Sequence, residues 1–171
     1  MKGASKFGFK FTGRTQTDVF LLTPENWKKI YEIKEMIAFS SQRKRMTVIV
    51  EEKVSNLSAS SNGTSFTKSS KLKLFIKGAD NVILSRLAAG GNQAPFYQET
   101  LGHIKQFAEQ GLRTLCLASR DLTLEEYAIW QAKYMRAKVD LNDREAMMEE
   151  AADLVSLILK VLKNLILKML F

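Results

Sequence analysis

The chain is 171 residues and 19.4 kDa, with 46% hydrophobic and 26% charged residues, which is the length of one domain able to bury a core and a composition that excludes wholesale disorder. One cysteine excludes an internal disulfide, one histidine leaves a structural zinc site without ligands, and there is neither a signal-type apolar run after Met1 nor a bilayer-length apolar stretch. The chain as it stands therefore reads as soluble or peripheral. Its net charge of +8 is one-sided: residues 1–80 carry 15 Lys/Arg against 7 Asp/Glu, and residues 81–171 carry 11 of each. Such a field suits an anionic partner, although a solvated basic surface explains the charge alone equally well.

In chain order, Phe7, Phe9 and Phe11 alternate with Gly8 and Lys10, the period of a short strand. Gly13 and Arg14 then read as a turn, with Val19 to Leu22 as the return strand. Residues 27–39 satisfy both periods, because Trp27, Ile30 and Ile37 fit a helix while Tyr31, Ile33, Ile37 and Phe39 fit a strand. The strand is the favoured reading. Met46 to Val50 is β-branched and apolar, and Leu72 to Ile76 alternates apolar residues with Lys73, so both predict strands. Between them, residues 55–70 are serine-rich around Asn62-Gly63 and predict a long mobile connection.

The second half turns helical. Tyr97, Leu101, Ile104, Phe107 and Ala108 recur at helical spacing, and Gly111 supplies a left-handed stop. Leu112 to Ala118 predicts a buried strand containing Cys116. Thr123 to Glu126 forms a capping box ahead of a helix with Tyr127, Trp130, Tyr134 and Ala137 on its apolar side. A further helix is expected near Asp143. From Leu154 to Phe171, Ser156, Lys160, Lys163, Asn164 and Lys168 follow steps of three and four opposite a leucine-rich face. This predicts an amphipathic helical tail, residues 154–171, packed on the domain.

Three segments carry chemistry: Phe39-Ser40-Ser41-Gln42-Arg43-Lys44-Arg45-Met46, Lys77-Gly78-Ala79-Asp80, and Gly111-Leu112-Arg113-Thr114-Leu115. Each alone reads equally well as core or surface. Each also lies where a predicted strand meets a turn or helix, so neighbouring strands would bring the three to one cleft. An aromatic ring at Phe39 offers a stacking platform for a nucleobase. Lys77 offers a point charge and Arg113 a planar fork for phosphate oxygens. Gly78 would let a ligand approach the backbone, and Ser41 and Thr114 add hydroxyls.

FSSQRKRM, KGADNVI and GLRTLCLA, with the opening KFGFKFTGRT and the later LTLEEY and LNDRE, resemble in order and separation the nucleotide-binding domain of P-type ATPases, specifically the phospholipid-flipping branch. The resemblance covers roughly residues 3–153. It implies an α+β fold, an antiparallel β-sheet flanked by helices, with residues 1–153 as the nucleotide-binding domain and the tail departing from the family. It implies ATP as the ligand and Phe39, Ser41, Lys44, Lys77, Arg113 and Thr114 as its binding residues, with no catalytic residue and no metal ligand in this chain. The family's phosphorylated aspartate and magnesium-binding aspartates are absent from the sequence. ATP hydrolysis and Mg2+ would thus belong to a full-length parent.

That parent would be membrane-embedded with this domain cytoplasmic, and would supply phosphorylation and actuator domains, membrane helices, a phospholipid substrate and an accessory subunit. The isolated chain is expected to be an inactive, soluble fragment. Two readings of other classes stand beside this one. The first is a basic nucleic-acid module using Arg43, Lys44 and Arg45, and the second is a membrane-surface module using the tail helix. Neither explains the ordered trio, and nucleic acid is not the expected partner. Cys116 reads as core, His103 as surface or boundary, and Glu125, Glu126, Glu149 and Glu150 as helix-surface charges.

Overall fold

The computed structural model describes residues 2–53, 71–87, 97–155 and 160–169, with residues 2–3 and 160–169 described as backbone. The elements are α1 (Lys2–Lys6), β1 (Lys10–Arg14), β2 (Asp18–Leu22), β3 (Lys28–Ile37), β4 (Arg45–Lys53), β5 (Lys71–Gly78), α2 (Asp80–Leu84), α3 (Tyr97–Glu109), β6 (Arg113–Leu122), α4 (Leu124–Val139), α5 (Arg144–Val155) and β7 (Lys160–Met169). The strands form one sheet in sequence order, β1 to β7, each antiparallel to its neighbour. The fold is α+β, as expected, and residues 27–39 resolve in favour of the strand.

Period-two alternation in β5 decides where the core sits. Leu72, Leu74 and Ile76 are buried while Lys71 and Lys77 are exposed, so one row faces the helices and the other faces away. Ile37, Ile49, Cys116, Ala118 and Leu122 join the buried row from β3, β4 and β6, and Ile83 of α2 joins it too. Tyr127, Trp130 and Tyr134 of α4 and Ala151, Ala152 and Val155 of α5 close the core, with Ile104 of α3 packed against it. Trp130 stacks on Tyr134 at 4.9 Å, and its indole N–H donates to the Ala151 carbonyl at 2.8 Å. That bond satisfies a buried donor and fixes α5 on α4. The expected apolar side of α4 is the buried one.

The capping box is present. Glu126 N–H donates to Thr123 Oγ1 at 3.1 Å, and Thr123 N–H donates to Glu126 Oε2 at 2.9 Å. The Thr123 amide, with neighbouring Arg120, holds the Glu126 carboxyl below its usual range. Gly111 takes φ +71° at the end of α3, the left-handed stop expected of it.

Four expectations are corrected. The strand read over residues 7–11 starts only at Lys10, because the Phe7, Gly8 and Phe9 amides bond back to Ala4 and Ser5 carbonyls as the chain leaves α1. Gly13 and Arg14 lie in β1, beside a bulge between Phe11 and Gly13, and the turn sits at Thr15. There the Asp18 amide donates to Thr15 Oγ1 at 2.9 Å, a hydroxyl turn that displaces the one read from glycine. The short α2 follows β5 where no helix was expected.

The largest correction concerns the tail. Lys160–Met169 is a strand, paired to β6 from Arg113↔Met169 to Ser119↔Lys160, and no amphipathic helix spans that stretch. A leucine-rich run satisfies either period. Pairing wins because it caps the far ladder of β6, whose backbone groups a helix would leave open. The serine-rich stretch 55–70 lies outside the described residues.

Two glycines give opposite predictions. A Cβ on Gly78 would sit 2.7 Å from both Arg45 Cβ and the Lys44 carbonyl oxygen, whereas one on Gly102 in α3 meets nothing within 4 Å. Gly78→Ala is expected to destabilise by about 1–3 kcal/mol and Gly102→Ala to stabilise by about 0.5–1 kcal/mol, read from urea denaturation midpoints. Thr123→Ala is expected to cost about 1 kcal/mol at neutral pH. Because the Thr123 backbone amide lowers the Glu126 pKa in the folded state, the carboxylate's own contribution is lost as pH falls through the depressed value, so the cost of Glu126→Gln should shrink toward acid pH in paired melts against wild type.

Candidate functional site

Antiparallel order places the end of β3, the start of β4, the end of β5 and the start of β6 at one end of the sheet. The pairs Ile37↔Thr47, Arg45↔Gly78 and Gly78↔Cys116 mark that end. Phe39 follows β3 by two residues and is 57% exposed. Ser41 is exposed in the following turn, and Lys44 is exposed with φ +52°. Lys77 stands opposite Met46 and Leu117, exposed on the face away from the core. Arg113 opens β6, and alternation puts it on the face of Leu117 and therefore of Lys77. Thr114, half-buried, alternates onto the opposite face with Cys116. Five of the six expected residues are thus exposed at one sheet end, and Thr114 is set apart.

Charge pairing sorts the basic first half. Lys29 meets Glu52 at 2.6 Å, Lys34 meets Glu51 at 3.0 Å and Lys53 meets Asp18 at 2.8 Å across β2, β3 and β4. Lys44, Lys77 and Arg113 have no carboxylate within 4 Å among the described residues. An anion recruited there displaces no carboxylate of the described residues.

The run Arg43-Lys44-Arg45 divides. Lys44 points outward, but Arg43 and Arg45 are buried, with side chains 5% and 3% exposed. Arg43 Nε meets Glu149 Oε2 at 3.0 Å. Arg45 Nη2 meets Asp153, which also takes Arg86 Nη2 at 3.1 Å. Burial, and then the nearby Arg86, push the Arg45 guanidinium below its usual range. A cationic strip for nucleic acid is therefore missing two of its three members. Glu149, expected as a plain surface charge, is one wall of this network. Sequence reading missed Glu149, Asp153 and Arg86. The available signal was two carboxylates at i and i+4 in α5 matching two arginines at i and i+2.

Gly78 is also corrected. The space left by its missing side chain is filled by Arg45 and the Lys44 carbonyl, not open to a ligand, and the Ala79 amide donates to that same carbonyl at 3.0 Å. The glycine closes β4 on β5 and fixes the backbone that carries Lys77.

Of two hollows among the described residues, one touches the loop after β3 and the other lies toward the opposite end of β6 from Arg113. The first, of about 360 Å³, is lined by Gln42, Asn142, Asp143, Glu145, Ala146 and Glu149. The second, of about 210 Å³, has Leu122, Trp130 and Val155 among its walls and Arg120 and Lys133 at its edge. Phe39, Lys77 and Arg113 line neither of these two. Among the described residues no three His, Cys, Asp or Glu side chains cluster as metal ligands. Cys116 is buried in the core, and burial, with a smaller push from Asp80, raises its thiol to about 11.

Residues 4–158 match the family model described as P-type ATPase, cytoplasmic domain N, and the chain belongs to that family. β7 lies beyond the matched stretch. The chain is 34% identical over 161 residues to the protein named probable phospholipid-transporting ATPase 5 of Arabidopsis thaliana, covering 91% of this chain and 12% of that protein. It is 37% identical over 168 residues to phospholipid-transporting ATPase DRS2 of Saccharomyces cerevisiae, covering 98% of this chain and 11% of that one. A third relative, probable phospholipid-transporting ATPase 12 of Arabidopsis thaliana, is 35% identical over 170 residues, 96% of this chain and 12% of its own length. The chain thus spans about a ninth of the length of these relatives. No described helix is long and apolar enough to cross a membrane.

The raised Cys116 thiol gives a chemical prediction. In the folded chain, alkylation by iodoacetamide at pH 8 should be slow and should speed up only with unfolding, because the reactive thiolate is scarce. Since folding raises this pKa, its contribution is intact below the ordinary thiol value near 9 and lost as pH rises toward 11. A denaturant series with mass-spectrometric readout checks both.

Proposed function

We propose that this domain binds ATP at the sheet end that carries Phe39, Ser41, Lys44, Lys77 and Arg113, as the nucleotide-binding part of a phospholipid-translocating P-type ATPase. Phe39 stacks on adenine. Lys44, Lys77 and Arg113 receive the ring edge and phosphates, and Ser41 adds a hydroxyl. The observation that carries the reading is the exposure of this aromatic ring and three cations, unpaired among the described residues, at one end of a rigid sheet. Thr114 is kept as a contributor from the strand's other face, reached only around the end of β6.

The chemistry supplied here is positioning. Phosphoryl transfer depends on holding the terminal phosphate in line with its acceptor, and a rigid sheet end does that with little reorganisation. The acceptor aspartate, the magnesium ligands, the actuator domain and the membrane helices belong to the rest of a longer transporter, which moves a phospholipid between leaflets. On this proposal the present chain has no ATPase activity of its own. Alone it holds ATP weakly, near a millimolar Kd or about −4 kcal/mol.

Titration of the chain with ATP, followed by amide NMR, tests the reading. Shifts should centre on Phe39, Lys44, Lys77 and Arg113. Phe39→Ala should weaken binding about tenfold, in the range of a lost base-stacking contact, and Lys77→Ala by a similar factor. Saturating ATP that leaves all four amides unmoved overturns it.

A further inference from the structure

The loop after β3 bears the stacking ring, and its internal ties are polar. Lys44 N–H donates to the Ser40 carbonyl at 2.8 Å, and Arg43 N–H donates to Ser40 Oγ at 3.1 Å. Arg43 Nη2 donates to the carbonyl of Ala38, the residue before Phe39, and Arg45 Nη1 donates to the Arg43 carbonyl at 3.2 Å. Each arginine grips loop backbone with one part of its guanidinium and a carboxylate of α5 with another. Arg43 Nε holds Glu149 at 3.0 Å, and Arg45 Nη2 holds Asp153. Where Gln42 of this loop faces Asn142, Asp143, Glu145, Ala146 and Glu149 across a hollow, five of the six lining residues are polar. The ties from the loop to α5 are the charged contacts of Arg43 and Arg45.

Resting on the ATP-binding reading above, we propose that Glu149 of α5, acting through buried Arg43, is a positioning residue for the Phe39 stacking platform. The guanidinium is planar and forked, so an oxygen anchored at Nε fixes the direction in which Nη2 meets the Ala38 carbonyl. The peptide leading into Phe39 is then held in one orientation before any ligand arrives, and the ordering cost of base stacking is met in advance. Without the Glu149 carboxylate, Arg43 is a buried cation left with a backbone partner alone. It must then turn toward water or toward another acid, and the Ala38 peptide turns with it.

Electrostatics provides a test of opposite sign. If Glu149 were only a nearby negative charge, neutralising it would tighten an anionic ligand or leave it unchanged. As a positioning residue, neutralising it weakens the adenine end and spares the phosphate end. The experiment uses the 171-residue chain as wild type, Glu149→Ala and Glu149→Gln, titrated separately with ATP, adenosine and tripolyphosphate, with thermal melts and amide exchange alongside.

The expected result is adenosine and ATP binding weakened about tenfold in Glu149→Ala, and less in Glu149→Gln, which keeps an acceptor oxygen. Tripolyphosphate binding should hold constant, and the Lys44 amide should exchange faster. Should Glu149→Ala fail to fold, Glu149→Gln carries the test alone. Unchanged or tighter adenosine binding, with a folded variant, overturns the inference. A parallel loss of tripolyphosphate binding overturns it too, since that marks a general structural effect. If the wild type binds none of the three ligands, it is the ATP reading that falls.

Discussion

Burial of Leu72, Leu74 and Ile76 against the aromatic face of α4 is the constraint on which the rest depends. Once that row points inward, alternation leaves Lys73 and Lys77 no choice but the other face, and the register to β4 and β6 sets Met46 and Leu117 beside Lys77. A slip of one residue would bury the lysines and expose the core, which is too costly to occur. The placement of Lys77 at the proposed nucleotide end is therefore a by-product of hydrophobic register. Trp130 reinforces it by locking α5 to α4, and α5 in turn supplies the carboxylates that hold the loop after β3.

The positive charge of the first half has three fates. Lys29, Lys34 and Lys53 are used in cross-strand pairs on partly exposed strand surface, where each pair contributes little to stability but fixes pairing partners. Arg43 and Arg45 are used inside, where guanidinium tolerates burial better than ammonium because it can serve several acceptors at once. Left at the sheet end are Lys44 and Lys77, joined there by Arg113 from the second half. A net charge counted from composition merges all three uses.

Much of the architecture was legible in the sequence where one signal dominated. β-Branched composition gave β4 and alternation gave β5, the Thr123–Glu126 spacing gave the start of α4, and the four apolar residues of α4 matched the buried side residue for residue. Legibility failed where two signals overlapped. The Lys/Leu run of β7 satisfies a helix as well as a strand, and only the open edge of β6 decides between them. Gly13 reads as a turn, yet the Thr15 hydroxyl makes the turn and Gly13 takes part in a bulge. At the proposed site, sequence reading singled out Phe39, Lys77 and Arg113 because each sits beside a strand terminus. Glu149 was not, because its partner lies across more than a hundred residues of chain, and nothing local distinguishes it from a solvated glutamate.

The bulge in β1 has a consequence for association. A sheet whose outermost strand is long and flat offers its free amides and carbonyls to any neighbour able to extend the ladder. Here that strand has five residues, is interrupted between Phe11 and Gly13, and carries Lys10 and Arg14 at its two ends. Distortion and like charge oppose a second copy docking edge to edge, so this rim is guarded against strand addition even though Phe9 and Phe11 remain partly uncovered.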